Sequence, residues 1–266
     1  MIDLSSLKTA DIKKMLTQGV ADEAAFVQAM KEDKRVSVQK LAQSYLKRKI
    51  KEEAERERVL HMYAMETAYY NDGIYHVAGV DEAGRGPAAG PVMIAAVILP
   101  PYWECPGLND SKKLSPAKRD ILYDKIMQEA VAVSCVSKSE AEIDALDIYH
   151  ATMQGMYDAV AGLDTAAEAV LIDAMPLRNL TVPHQSVVHG DAVSASIAAA
   201  SIIAKVTRDH YMLELEKLYP GYGFAGHKGY GTAKHLQALR ELGPCKEHRR
   251  SFAPVRKLLP PALFLP

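Results

Sequence analysis

The sequence predicts a mixed α/β domain preceded by a small helical segment, and three observations carry that expectation. Residues up to 72 read as helix throughout. Short β-branched runs begin after Tyr75. Helical stretches then alternate with those runs and follow them to residue 242. In the first part, Thr9 or Asp11 is placed to cap a short helix through Leu16, with Gly19 ending it. Asp22 can cap a second, carrying Ala25, Phe26 and Met30. Val38, Leu41, Ala42 and Tyr45 recur at i, i+3, i+4 and i+7, an amphipathic stripe whose helix is expected to run through the charged stretch 47–58 towards Tyr69. Asn71-Asp72-Gly73 is a turn signal, so a helical extension over 1–72 and a second domain over 73–266 are expected.

Beyond the turn, residues 77–80 and the longer run 92–99 read as buried strands. Ser115-Pro116 sets a cap and an N1 proline before a helix carrying Ile121, Leu122 and Ile126. Val131, Val133 and Cys135 alternate as a strand, and helices follow around 140–145 and 148–163. Residues 169–173 and 186–189 read as further strands. One long helix is expected over 194–218, small and apolar in its first half. A glycine-rich loop over 220–231 then leads to a last clear helix at 232–242.

The bulk numbers exclude several classes. With 266 residues, 48% hydrophobic and 24% charged, the chain has room for a large domain with its own core plus an appendage. No apolar run reaches the about 20 residues that span a bilayer, and the first eight residues lack the pattern of a signal peptide. Cys105, Cys135 and Cys245 are odd in number and far apart, which suggests neither disulfides nor zinc and fits a cytoplasmic protein. A net charge of −1 gives no global sign of nucleic-acid binding. Locally, Lys47, Arg48, Lys49 and Lys51 cluster, and Lys234, Arg240, Lys246, Arg249, Arg250 and Arg256 face only Glu241 and Glu247; solvated helix faces are the plain alternative.

Chemistry is suggested where Asp81 and Glu82 follow an apolar strand. Adjacent acids at a strand end are common, but Gly84-Arg85-Gly86-Pro87-Ala88-Ala89-Gly90 then turns straight into a second strand. A dinucleotide fingerprint or P-loop needs a helix there. The glycines let backbone amides approach a sugar or phosphate, and Arg85 adds charge. Asp173 ends the run Val170-Leu171-Ile172, and Asp191 precedes the long helix, where a cap or turn role is the bland reading. Four carboxylates at one sheet edge repel unless cations neutralise them, and oxygen ligands suit magnesium or manganese.

The run Asp81-Glu82-Ala83-Gly84-Arg85-Gly86-Pro87 resembles the bacterial ribonuclease HII family. So do Leu108-Asn109-Asp110-Ser111-Lys112-Lys113-Leu114, Gly190-Asp191-Ala192, the helical run 196–209 and the Gly-Tyr-Gly and His-Lys-Gly-Tyr-Gly-Thr elements of 219–232. The resemblance extends from 75 to about 255. It implies a ribonuclease H-like mixed sheet flanked by helices, with Asp81, Glu82, Asp173 and Asp191 holding two Mg2+ or Mn2+ ions. It implies further that Gly84-Arg85-Gly86, helped by Tyr230, reads the 2′-hydroxyl at an RNA-to-DNA junction, the group that marks a ribonucleotide. Lys112, Lys113 and Lys205 become phosphate contacts, with ordinary surface lysines as the alternative.

The implied activity is hydrolysis of the RNA strand of RNA–DNA hybrids and cutting 5′ of single ribonucleotides in duplex DNA, leaving 3′-hydroxyl and 5′-phosphate ends, as in ribonucleotide removal. A ribonuclease HIII-like nuclease and a non-catalytic hybrid-binding module are the alternatives; Arg85 between its glycines argues against the first, the full set of four acids against the second. The sequence departs from the family pattern at Ala174-Met175-Pro176, where many relatives have a glycine, and at His189, where a lysine is common. The N-terminal segment resembles an extension found in some members, and its basic cluster suggests added duplex binding. A monomer is expected. Leu263-Phe264-Leu265 suggests a sliding-clamp peptide, with a hydrophobic tail packed on its own domain as the favoured alternative.

Overall fold

The computed structural model describes residues 2–260, so Leu263-Phe264-Leu265 lies outside the described residues. Two compact units divide the chain, Met1–Arg58 and Val59–Pro266. The first unit comprises α1 (Thr9–Gln18), α2 (Glu23–Glu32) and the start of α3 (Val36–His61). Its core gathers Ile12, Phe26, Met30, Val38, Ala42 and Tyr45, so the expected stripe is the buried one. Asp22 caps α2 by accepting from the Ala25 N–H. No side chain caps α1, where Thr9 and Asp11 lie inside the first turn and Lys8 takes the cap position.

The helix expected to reach Tyr69 instead breaks after His61, and α4 (Ala64–Asn71) follows. The break turns the Met62 carbonyl towards the Ala195 N–H (3.0 Å) and buries Tyr63, whose hydroxyl donates to the Trp103 carbonyl. With Val59 and Tyr70, these residues belong to the core of the second unit. That unit therefore begins at Val59, twelve residues before the turn at 71–73, and includes α4.

The second unit is built on a five-stranded sheet in the order β3-β2-β1-β4-β5. β1 (Val77–Ala83), β2 (Val92–Ile98) and β3 (Ala132–Lys138) pair antiparallel, whereas β4 (Ala169–Asp173) and β5 (His184–Val187) run parallel to β1. Two of the strands differ from expectation. In β3 it is Ala132 and Ser134 that are buried, while Val131 precedes the strand and is exposed. β5 begins at His184, in register with Val170, and has ended by His189, whose φ of 57° is left-handed.

After the 3-10 turn Ser111–Lys113 and α5 (Pro116–Glu129), capped by Ser115 as expected, the chain forms α6 (Glu140–Leu146) and α7 (Ile148–Ala161). α8 (Gly190–Val193) and the long α9 (Ala195–Leu218) follow. α10 (Phe224–His227) forms within the stretch expected to be loop, and α11 (Ala233–Leu242) and α12 (Ala253–Arg256) close the described chain. α7 packs on one sheet face and α9 on the other. The small residues of α9 let it lie close to β1, where a Cβ at Gly79 would overlap the Ser196 backbone.

The N-terminus of α9 is pinned from α4. Glu66 is fully buried, and its Oε1 accepts from the Ser194 hydroxyl (2.6 Å) and the Ser196 N–H (3.0 Å). Burial raises the Glu66 pKa, and the two hydrogen bonds it accepts fix the chain three residues after Asp191. Among the described residues no helix is long and apolar enough to cross a membrane.

Candidate active site

Strand register places the acids. Val80 pairs with Ile172 across the parallel strands β1 and β4, so Asp81 and Asp173 stand side by side at the strand ends. Alternation along a strand puts both on the α9 face. Asp191 arrives in the first turn of α8, tied in where the Gly190 N–H donates to Asp173 Oδ1 (2.7 Å).

Burial first, and then neighbouring carboxylates, raise the pKa of Asp81, Glu82 and Asp173. Asp81 is buried and held well above the ordinary carboxylate value, by burial first and then by Glu82 and Asp173. Burial also raises Glu82, opposed by Arg85, whose Nη1 is 3.5 Å from Oε1. Asp173 is raised by burial and by Asp191. The lysine countering the edge most closely is Lys112, 3.2 Å from Asp191 Oδ2. Among the described residues no three His, Cys, Asp or Glu side chains are already drawn together as a metal cage. An all-carboxylate donor set short of positive charge nevertheless suits hard divalent cations, which would draw the oxygens in.

A cleft of about 310 Å³ opens on this edge. Asp81, Glu82 and Asp173 line it together with Gly84, Arg85, Gly86, Lys112, Lys205 and Tyr230. Asp191 reaches the cleft through Lys112. Lys113 does not line it; its side chain is 60% exposed and 3.9 Å from Asp110. Lys205 is held by Asp209 at 2.7 Å. Gly86 and Tyr230 face one another, since a Cβ on Gly86 would stand 3.6 Å from the tyrosine ring.

The glycine loop is shaped by two arginines, neither of them among the expected site residues. Arg249 is wholly buried and donates to the carbonyls of Gly90 (2.9 and 2.6 Å), Arg85 (2.9 Å) and Gly84 (2.6 Å). Arg208, 1% exposed, donates to Pro91, Ala89 and Lys228 at 2.9–3.1 Å. Neither is ion-paired to a carboxylate among the described residues. Burial, then the charge of Arg208, pulls the Arg249 guanidinium down to about 9. Gly84 is obligatory beneath them: its φ is +99°, and a Cβ would run into Arg208 Nε. One signal was legible for Arg208, because Ile197, Ser201, Ala204, Arg208, Met212 and Leu215 form the buried stripe of α9 and the arginine stands on it. Arg249 has no such periodicity around it.

The family model described as Ribonuclease HII matches residues 78–255, and one described as Ribonuclease HII N-terminal domain matches residues 8–70. A protein named Ribonuclease HII from Bacillus cytotoxicus is 48% identical over 249 residues, covering 94% of this chain and 96% of that protein. One of the same name from Geobacillus thermodenitrificans is 53% identical over 230 residues, covering 86% and 88%. Among solved structures, the ribonuclease H2 from Pyrococcus horikoshii is 25% identical with a TM-score of 0.60, covering 68% of this chain and 96% of that one.

Proposed function

The chain belongs to the ribonuclease HII family and is a ribonuclease H-type hydrolase, and on that premise we propose that it cuts 5′ of a ribonucleotide within duplex DNA as well as within RNA–DNA hybrids. One observation carries the finer reading. The glycine loop and Tyr230 stand on the same cleft as Asp81, Glu82 and Asp173, so the groups suited to reading a sugar adjoin the groups suited to hydrolysing its phosphate.

Asp81, Glu82, Asp173 and Asp191 would hold two divalent ions, magnesium or manganese, which supply charge neutralisation at the phosphate and activation of water. The protein's own part is positional. The amides of the 84–86 turn and the Arg85 side chain meet the 2′-hydroxyl and neighbouring phosphate. The Tyr230 ring lies against the adjoining deoxyribose and leaves no space for a second 2′-hydroxyl. Lys112, now 3.2 Å from Asp191, and Lys205, paired with Asp209, would offer charge to the nucleic-acid backbone. Products with 3′-hydroxyl and 5′-phosphate ends follow from in-line attack by water. In the N-terminal unit, Lys47, Arg48, Lys49 and Lys51 add phosphate contacts; all four are exposed, with Arg48 and Lys49 resting on Tyr45.

The test is a DNA duplex carrying one ribonucleotide, incubated with and without magnesium or manganese, with the ends mapped. Metal-dependent cleavage at the 5′ side of the ribonucleotide is expected. Cleavage confined to long hybrids would overturn the single-ribonucleotide reading. In the same assay, alanine at Lys47 and Lys51 should flatten the dependence of binding on salt, and an unchanged slope removes the N-terminal unit from the substrate interface.

A further inference from the structure

Tyr230 borders the cleft with its side chain largely free: the residue is 47% exposed. Its backbone, by contrast, is saturated. The Tyr230 N–H donates to the His227 carbonyl (2.9 Å), and its own carbonyl accepts from the Thr232 N–H (2.8 Å) and from His235 Nδ1 (3.0 Å). Behind His235 lies a second buried ring, with His248 Nε2 3.1 Å from His235 Nε2, and His248 Nδ1 faces the Cys245 N–H at 3.1 Å.

The Cys245 thiol also stands 3.1 Å from His248 Nδ1 and can donate to it as the peptide N–H does, so these partners favour one proton arrangement. A peptide N–H can only donate, so His248 Nδ1 is bare and Nε2 carries the hydrogen. His235 Nε2 therefore accepts, and its Nδ1–H points at a carbonyl that can only accept. Two neutral histidines thus pass a directed chain of hydrogen bonds from Cys245 to Tyr230. A third ring supports it: His227 Nδ1 accepts from the Gly229 N–H (3.1 Å), and its Nε2 is 2.8 Å from the Tyr222 carbonyl. His227 also stacks on His235 with centroids 4.3 Å apart.

We propose that this chain sets where the Tyr230 ring stands over the substrate sugar, so that His235 and His248 are positioning residues for recognition of the RNA–DNA junction, an inference that rests on the assignment of Tyr230 to the substrate. Burial supports the neutral rings: it lowers the pKa of His235, and it lowers that of His248 to about 4, with His235 and His227 adding to the effect on His248. A second proton on either ring would set two N–H groups against each other.

The test compares kcat/KM on a single-ribonucleotide duplex with kcat/KM on a long RNA–DNA hybrid. Tyr230→Ala should lower that ratio. His235→Gln keeps a group near Nε2 but withdraws the donor from the Tyr230 carbonyl; it should lower the ratio by about tenfold, the worth of one buried hydrogen bond. Added to Tyr230→Ala it should change nothing further. His235→Asn, whose amide can donate from near the Nδ1 position, should stay within about threefold of wild type. A wild-type ratio in His235→Gln beside a fallen one in Tyr230→Ala overturns the relay and leaves the Tyr230 assignment standing. An unchanged ratio in Tyr230→Ala overturns both. Should the variants not fold, nitrogen-15 spectra of the wild-type histidines decide, and a hydrogen on His248 Nδ1 refutes the chain.

Discussion

The two walls of the cleft reach opposite electrostatic states. Along the sheet edge, Asp81, Glu82 and Asp173 crowd negative charge into a desolvated corner, and each is pushed towards its protonated form. In the loop wall, Arg208 and Arg249 bury positive charge without a carboxylate partner, yet every carbonyl they need is in place. On the proposed reading the edge would be completed by cations, whereas the loops are complete in themselves. Affinity for metal and fixed shape for a sugar would ask for different things, and the two walls carry opposite charges.

The largest effect expected is at the edge. Asp81→Asn should abolish cleavage while leaving duplex binding largely intact, and in chelator it should raise the melting temperature, by about 2–4 °C for each kcal/mol of repulsion removed. The pH dependence has a definite sign. Carboxylates whose folded pKa is raised favour the fold below their unfolded pKa, near 4, and that contribution is lost as pH rises through the folded value. Metal-free wild type should therefore gain stability as pH falls from neutrality towards 5, and Asp81→Asn should flatten that rise. A variant that melts lower than wild type at neutral pH would show the edge is not frustrated.

A smaller but still large effect is expected in the loop wall. Arg249→Met strands the carbonyls of Gly84, Arg85 and Gly90. The loss should be about 3–5 kcal/mol. Arg249→Lys should recover little of it, because one ammonium cannot span three carbonyls as a planar fork does. Calorimetry gives the stability, and manganese titration should find metal affinity nearly unchanged in any variant that folds. Metal affinity falling in step with stability would mean that the two walls are not independent.

What the sequence made legible follows the same division. Acids that end apolar runs are conspicuous, and parallel register brings Asp81 beside Asp173 with no further information. The outline of the sheet was equally readable, because β1, β2 and β4 are buried runs of β-branched and small residues. The clamp was not. Arg249 lies beside the exposed Arg250 and among solvated bases, and only the return of a distant chain segment to the glycine loop turns it inward. The break after His61 was hidden for a like reason, since helical periodicity continues across it and only the demand of α9 for the Met62 carbonyl and Glu66 explains it. Deleting residues 1–72 would therefore not spare the site, because it removes the carboxylate that pins the chain after Asp191.

The smallest effect bears on whether the edge is strained in its backbone as well as in its charge. Ala174, directly after Asp173, has a φ of 50°, where a glycine is at ease and an alanine is not. The turn is held by the Ala174 N–H on the Val187 carbonyl (3.0 Å) and the Met175 N–H on the Asp173 carbonyl (2.6 Å), so a glycine should keep the same path. Relief of the left-handed alanine outweighs the added freedom of the unfolded chain, and Ala174→Gly should gain about 0.5–1 kcal/mol. Cleavage should not change, because the carboxylate is placed by strand register and by the Gly190 N–H, not by the residue that follows. A more stable variant that cuts more slowly would show that the strained turn helps aim Asp173, and the edge would then store backbone strain as well as charge.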